Sequence, residues 1–395
     1  MYKLIITKNE DKIISSLFHE YEMVQVNIEN SRKKSIVGNI YVGKVMNIVK
    51  NIQAAFVEIE NKQICFLPLG ENENPRFCNP KKNKKICIGD EILVQVTTEA
   101  VKSKSPSVTT NLSFTGKYCV LTRGRIKLGI SNKIEDIGER ERLKRILENY
   151  KSKEYGFIIR TNAEGITEDV IEKELEILCE QYRRICETAV HKTCFSLISE
   201  APAGYLCDIR DGYDQYVQEI ITDNVQVYKE VETFLGKYQS DDLKKLVLYE
   251  DEQLSLKHLY GIESKLEKAL QERVWLKSGA YLIIQPTEAM VVIDVNTGKA
   301  ISGKRPTEET FFKVNIEAAK EIAKQLRLRN YSGIILVDFI DMKKNEYKEE
   351  LIRNLKEYIK EDPVKTVFVD MTKLNLVELT RKKTRKPLYE QWENS

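Results

Sequence analysis

Histidine is scarce in this chain of 395 residues: His19, His191 and His258 are the only three, and they lie far apart. The eight cysteines (Cys65, Cys78, Cys87, Cys119, Cys179, Cys186, Cys194 and Cys207) include no C-x-x-C pair. Structural zinc sites draw their ligands in close pairs, so no structural zinc is expected. Reduced thiols in a cytosolic setting account for the cysteines most simply, and Cys179 and Cys186, seven apart on an expected helix, read as small apolar packing groups. Long apolar runs are missing too. Stretches such as residues 334–337 fall far below the roughly 20 residues of a membrane span. The opening MYKLIITKNEDK lacks a basic-then-apolar secretory pattern and reads as a first strand. The expectation is a cytoplasmic protein with no membrane span. No internal repeat is present. A hydrophobic content of 42% excludes wholesale disorder, and the length points to two or three domains.

A charge excess is also lacking, since 63 Lys+Arg against 60 Asp+Glu leave a net +3. That average conceals a division. Residues 31–130 hold 17 basic against 7 acidic residues, whereas residues 160–280 hold 15 against 24. One surface is therefore suited to phosphate and another is not, although any single charge run also reads as a solvated face.

Along the chain, the segment GNIYVGKVMNIVKNIQAAFVEI alternates as half-buried strands do, with Asn51 at a turn; ICFLPL and GDEILVQVTTEA follow as strands. Short, evenly spaced strands with glycine at the turns predict a small barrel. Residues 71–85, polar and with two prolines, read as a loop. GKYCVLT and YGFIIRT are strand-like, and Thr167 opens a helix to about His191 with Leu175, Leu178, Cys179, Tyr182, Ile185, Cys186 and Ala189 on one side. Residues 201–270 are mixed, acidic and poor in motifs. From Tyr281 onward strands and helices alternate, including a helix from Thr307 to Arg329 with Pro306 at its start and Gly333 as its stop, and another from Glu346 to Ile359.

Two of these later strands end in carboxylates. Asp294 closes MVVIDV and precedes Asn296, Thr297 and Gly298; Asp338 closes the strand of GIILVDFIDM, with Asp341 three residues on. Ligands gather beyond the carboxyl ends of strands in α/β sheets, so both acids would reach one sheet edge. Converging carboxylates suit Mg²⁺, which can activate a water and neutralise charge on a phosphoryl group. Asn296 would hold a phosphate oxygen or the attacking water. A single strand-terminal Asp more often caps a helix or pairs with a lysine; two with Asn296 alongside favour function. Lys313, Lys320, Lys324 and Arg327 form a basic side of the intervening helix, but an amphipathic helix needs a polar face in any case.

The stretch VVIDVNTGKA…EET…VNIEAAKEIAKQLRLRNYSGIILVDFIDM closely resembles the catalytic centre of the RNase E/G family of endoribonucleases. The likeness extends over nearly the whole chain: GNIYVGKVMNIVKNIQAAFVEI…CFLPL resembles the family's OB-fold RNA-binding domain, GFIIRTNAEG its 5′-end sensor, and RKKTRK the end of its catalytic subdomain. The resemblance implies an α+β multidomain fold. An RNase H-like domain (residues 1–35 plus 201–272) would be interrupted by the OB-fold barrel (36–112). A 5′-sensor domain (113–200) and a DNase I-like α/β catalytic domain (273–395) would follow. It implies Mg²⁺-dependent cleavage within single-stranded RNA, in ribosomal RNA precursor processing and messenger RNA turnover, stimulated by a 5′-monophosphate and leaving 5′-phosphate and 3′-hydroxyl ends. Asp294 and Asp338 would then be the metal ligands, with Asn296 supporting the scissile phosphate. The absence of a histidine acid–base pair agrees with a metal-generated nucleophile.

Further contacts follow from the resemblance. Phe56 and Phe66 match base-stacking positions, although barrel core is the alternative. Lys104, with Lys102, would contact the RNA backbone, as would Lys365. Arg160 and Thr161 would hold a terminal phosphate, with Gly116 and Val120 near the first nucleotide. One departure stands out: the family's Cys-Pro-x-x-Cys-like element, through which two chains share zinc, has no counterpart here. A monomer or weak oligomer is expected rather than a zinc-linked dimer. The rival readings are a catalytically silent RNA-binding adaptor, which would not need the three site residues, and a Mg²⁺-dependent phosphatase or nucleotide hydrolase, which would not need the barrel.

Overall fold

The computed structural model describes residues 1–32, 35–70, 75–79, 81, 85–100, 104–124, 128–211, 217–301 and 307–394, in two compact units. One unit comprises Met1–Arg32, Val217–Val231 and Lys244–Ser395; the other comprises Lys33–Tyr216 and Glu232–Leu243. The chain opens in the first unit with an antiparallel meander of β1 (Tyr2–Asn9), β2 (Lys12–His19) and β3 (Glu22–Asn30).

The second unit begins with β4 (Ile40–Val49), β5 (Ala54–Glu58), β6 (Ile64–Pro68), β7 (Glu91–Thr98) and β8 (Ser107–Thr109). Strand β4 pairs with both β5 and β7, β5 with β6, β6 with β8, and β8 with β7. The five strands thus close into a barrel, which removes free edges. Alternation along each strand sends Ala55, Val57, Cys65, Leu67, Val94 and Val108 inward. In the loop over residues 71–85, positions 71–74, 80 and 82–84 lie outside the described residues.

A four-stranded sheet follows, built from β9 (Ser113–Thr115), β10 (Cys119–Arg123), β11 (Gly129–Ile130) and β12 (Tyr155–Ile159) in the order β11-β12-β10-β9. Helix α1 (Ile137–Glu148) starts at Asp136, whose side chain accepts from Glu139 N. Helix α2 (Glu168–Val190) carries Glu168 and Asp169 in its first turn, where negative charge favours the helix dipole. Its Ile171, Leu175, Leu178, Tyr182, Ile185 and Cys186 stripe is buried against this sheet, within one core that also holds Phe114, Leu121 and Phe157. Cys186 packs as a small apolar group, and burial pushes its thiol up. A short β13 (Leu197–Ser199) pairs with β4, and α3 (Gly204–Asp211) follows.

Back in the first unit, β14 (Val217–Thr222) lies parallel to β1 and β15 (Leu246–Leu248) parallel to β14. This completes a mixed five-stranded sheet where the resemblance implies the RNase H-like domain. The motif-poor stretch contains α4 (Val225–Tyr238), α5 (Leu256–Leu259) and α6 (Ile262–Leu270).

A six-stranded sheet comes last: β16 (Arg273–Trp275), β17 (Tyr281–Pro286), β18 (Met290–Asn296), β19 (Gly333–Asp338), β20 (Thr366–Met371) and β21 (Leu376–Arg381), in the order β16-β17-β18-β19-β21-β20. The crossover between parallel β18 and β19 is α7 (Glu308–Leu328), and α8 (Asn345–Lys360) leads into β20. Both helices bury apolar stripes on one face of the sheet, against Val291, Ile293, Ile335 and Val337. The opposite face carries the exposed Val292, Asp294, Ile334 and Asp338. Thr307 caps α7 by accepting from Thr310 N at 3.2 Å, while Pro306 lies outside the described residues. The helix stop differs from expectation. Asn330 already takes the left-handed conformation (φ 51), three residues before Gly333 (φ 87), and Tyr331 N reaches back to Leu326 O at 3.1 Å, a Schellman ending. Finally, α9 (Leu388–Asn394) packs on β3, where Gln391 Oε1 accepts from Ile28 N at 2.8 Å. The fold is α+β and multidomain with an OB-type barrel, as expected. Among the described residues, no helix is long and apolar enough to cross a membrane.

Candidate active site

Asp294 and Asp338 are register partners across the parallel strands β18 and β19. Adjacent strands stand about 4.8 Å apart, so the two side chains rise together from the open face at the carboxyl ends of their strands. Asn296 follows on the same face, and its Nδ2 donates to Asp294 Oδ2 at 2.6 Å. Burial, then the negative charges of Asp294 and Asp341, push the Asp338 carboxyl above its ordinary range. Asp341 accepts from Asn375 Nδ2 at 3.2 Å. Two facing carboxylates crowded by like charge fit a hard cation. Among the described residues no group of three or more His, Cys, Asp or Glu could hold a metal. Mg²⁺ needs no such cage, because it keeps waters and takes substrate oxygens beside one or two carboxylates.

The loop after β19 is held by groups the sequence reading passed over. Asn315, fully buried in α7, donates from Nδ2 to Ile340 O at 2.8 Å and accepts from Ile340 N at 3.0 Å. Glu308 Oε1, in the first turn of α7, accepts from Lys343 N and Lys344 N at 2.6 and 2.5 Å. The signal for Asn315 was present: one amide placed between Val314 and Ala318 on an apolar stripe has to find a partner. The basic side of α7 is partly consumed internally, as Lys313 pairs with Glu309 at 2.7 Å and Lys324 with Glu22.

The residues expected to form a 5′-end sensor converge in the second unit. Arg160 follows β12 directly; its Nη1 donates to Gly116 O at 2.7 Å and lies 2.8 Å from Asp211 Oδ1. Thr161 Oγ1 lies 2.9 Å from Ser131 Oγ. Val120 is half-buried on β10, opposite Ile158 of β12. The turn at Gly116 is organised by Glu174, which the sequence reading missed: its carboxylate accepts from the backbone N–H groups of Lys117, Tyr118 and Cys119 at 2.7–2.8 Å. A Cβ at position 116 would stand 2.5 Å from the Glu174 carboxyl carbon, so this turn needs glycine. Asp211 is clasped by Arg210 as well, at 2.9 Å. Beside this turn, Lys117 and Asp242 form a buried pair at 2.7 Å.

On the barrel, Phe56 and Phe66 face each other across β5 and β6, half-buried, with ring centres 6.2 Å apart edge to face. Their neighbours Ala55, Val57, Cys65 and Leu67 fill the interior, so both rings stand on the outer surface. Lys104 is exposed three residues before Ser107, the register partner of Phe66; Lys102 lies outside the described residues. Lys365 is exposed before β20, at the opposite end of the sheet from Asp338, roughly 17 Å of strand away. The fold does not bring it to the carboxylates.

Residues 113–384 match the Ribonuclease E/G family and residues 34–111 match the S1 RNA binding domain. The chain is 37% identical over 393 residues to a Ribonuclease G of Haemophilus influenzae, covering 97% of this chain and 79% of that protein. It is 34% identical over 375 residues to Ribonuclease G of Escherichia coli (strain K12), covering 92% and 76%. Against a Ribonuclease E of Synechocystis it is 34% identical over 360 residues, covering 90% of this chain and 53% of the relative.

Proposed function

The chain belongs to the ribonuclease E/G family, and from that premise we propose a Mg²⁺-dependent endoribonuclease whose cleavage of single-stranded RNA is stimulated by a 5′-monophosphate. That it is an endoribonuclease of RNA processing, with an S1 domain that binds RNA, follows from the family itself. The finer reading adds ribosomal RNA precursors and messenger RNA as substrates, and 5′-phosphate and 3′-hydroxyl product ends.

The observation that carries this reading is the register pairing of Asp294 with Asp338 at one sheet edge, with Asn296 bonded to Asp294. These two carboxylates would hold Mg²⁺, which when bound supplies an activated water and neutralises phosphate charge. Asn296 fixes the orientation of the Asp294 carboxylate and would steady the scissile phosphate. Phe56 and Phe66 would stack bases, while Lys104 and, farther from the cut, Lys365 would meet phosphates. Arg160 and Thr161, on the turn at Gly116 and beside Val120, would hold the terminal phosphate. Mapping the ends of a single-stranded RNA incubated with and without Mg²⁺ tests the reading.

A further inference from the structure

The open face of the catalytic sheet continues past Asn296 onto two aromatic side chains with no part in the site described so far. Tyr281 of β17 is the register partner of Asn296, and Trp275 of β16 is the register partner of Tyr281. Cross-strand partners share a face, so Trp275, Tyr281 and Asn296 form one row. In the next row, Asp294 stands beside Ile283, and Ile283 beside Arg273. The two ring centres are 5.2 Å apart at 58°. The guanidinium of Arg273 lies 4.7 Å from the Tyr281 ring centre and 5.7 Å from that of Trp275. Trp275 nevertheless remains 58% exposed at the sheet edge.

The turn that carries Asn296 also fixes this pair. A Cβ on Gly298 (φ +48) would stand 3.1 Å from Tyr281 Cδ1 and 2.5 Å from Gly279 O, so the backbone there packs closely against the tyrosine ring. A rigid ring and an exposed indole thus stand within two strand spacings, about 10 Å, of Asn296, with the Arg273 guanidinium against both rings. Aromatic faces stack on any base, and a cation beside them offsets the repulsion between an RNA phosphate and nearby carboxylates.

We propose that the Trp275–Tyr281 pair, backed by Arg273, is a stacking platform for an RNA base beside the scissile phosphate. The platform rests on the endoribonuclease reading for its place next to the cut, but its contact with RNA is measurable without cleavage. It would position the strand over Asp294 and Asp338 with little base preference, since stacking makes no hydrogen-bond readout.

The test uses the full chain with Trp392→Phe, which leaves Trp275 as the sole tryptophan of the two. A short single-stranded RNA is titrated in EDTA while tryptophan emission is followed, and binding is measured separately by anisotropy of a labelled RNA. Saturable quenching that tracks binding is expected. Trp275→Ala should weaken binding about five- to tenfold, the lower part of the range for base–aromatic stacking, and Trp275→Phe should restore most of it. Unchanged emission during measured binding, or equal affinity of Trp275→Ala and the parent, overturns the platform. Should Trp275→Ala fail to fold, the quenching measurement still decides, because it leaves position 275 intact. Quenching without any cutting in Mg²⁺ keeps the platform and removes the cleavage reading; no RNA binding at all removes both.

Discussion

Asp338 faces Asp294 in register at the ends of two parallel strands, and the like charge of Asp294, after burial, raises the Asp338 carboxyl. Two carboxylates in this relation are a poor way to stabilise a sheet and a good way to hold a divalent cation. Asp294→Asn or Asp338→Asn should lower Mg²⁺-dependent cleavage by about a hundredfold or more, while RNA affinity in EDTA stays within about twofold. Asp338→Asn also removes a crowded charge, so its melting temperature without metal should equal or exceed the parent's. Wild-type cleavage by either variant contradicts the ligand assignment.

Arg160 is held between Gly116 O and Asp211. A terminal phosphate monoester offers charge-assisted bonds worth about 1.5–3 kcal/mol. A 5′-monophosphorylated RNA should therefore be cut about tenfold faster than its 5′-hydroxyl counterpart, and Arg160→Ala should erase the difference. Equal rates on the two RNAs by the parent protein would remove the sensor.

The same cluster has a pH signature. Burial pushes the Asp211 carboxyl up, but the bond and charge of Arg210, joined by Arg160, outweigh it and hold the group below its ordinary value. A folded pKa below the unfolded value of about 3.9 gives stability that is complete above that pH and lost as pH falls through the folded pKa. Asp211→Asn should thus melt lower than the parent at neutral pH, with the gap closing only below about pH 4. A gap that persists undiminished into strong acid contradicts this.

Phe56 and Phe66 lie outside the barrel wall, whereas Leu67 is fully buried within it. Phe56→Ala and Phe66→Ala should each cost about 1–3 kcal/mol of RNA affinity and little stability. Leu67→Ala should do the reverse, losing about 2–5 kcal/mol of stability. Thermal melts and RNA titrations on the three variants check the contrast; equal destabilisation by all three would return the phenylalanines to a structural role.

Local pattern made much of this legible. Apolar periodicity located α2, α7 and α8 to within a residue or two at each end, and the strand-terminal positions of Asp294 and Asp338 delivered the carboxylate edge. What needed the structure was long-range pairing. Barrel closure depends on β8, only three residues long, which is too short for alternation to register. Which side of the wall Phe56 takes is set by strand pairing. Glu174 stood out in principle, a charge among Ile171, Leu175 and Leu178, but its partners are backbone groups 55–57 residues away. Asp211 comes from the motif-poor region, where nothing local ties it to Arg160. Lys365 shows the converse, since a basic residue near a strand reveals nothing about which end of the sheet it occupies.

The most direct measurement is to incubate a short 5′-monophosphorylated single-stranded RNA with the protein in Mg²⁺ or in EDTA and to map the product ends. Internal cuts in Mg²⁺ alone are expected, with 5′-phosphate and 3′-hydroxyl ends. Cleavage that persists in EDTA, or products with 5′-hydroxyl ends, would contradict it.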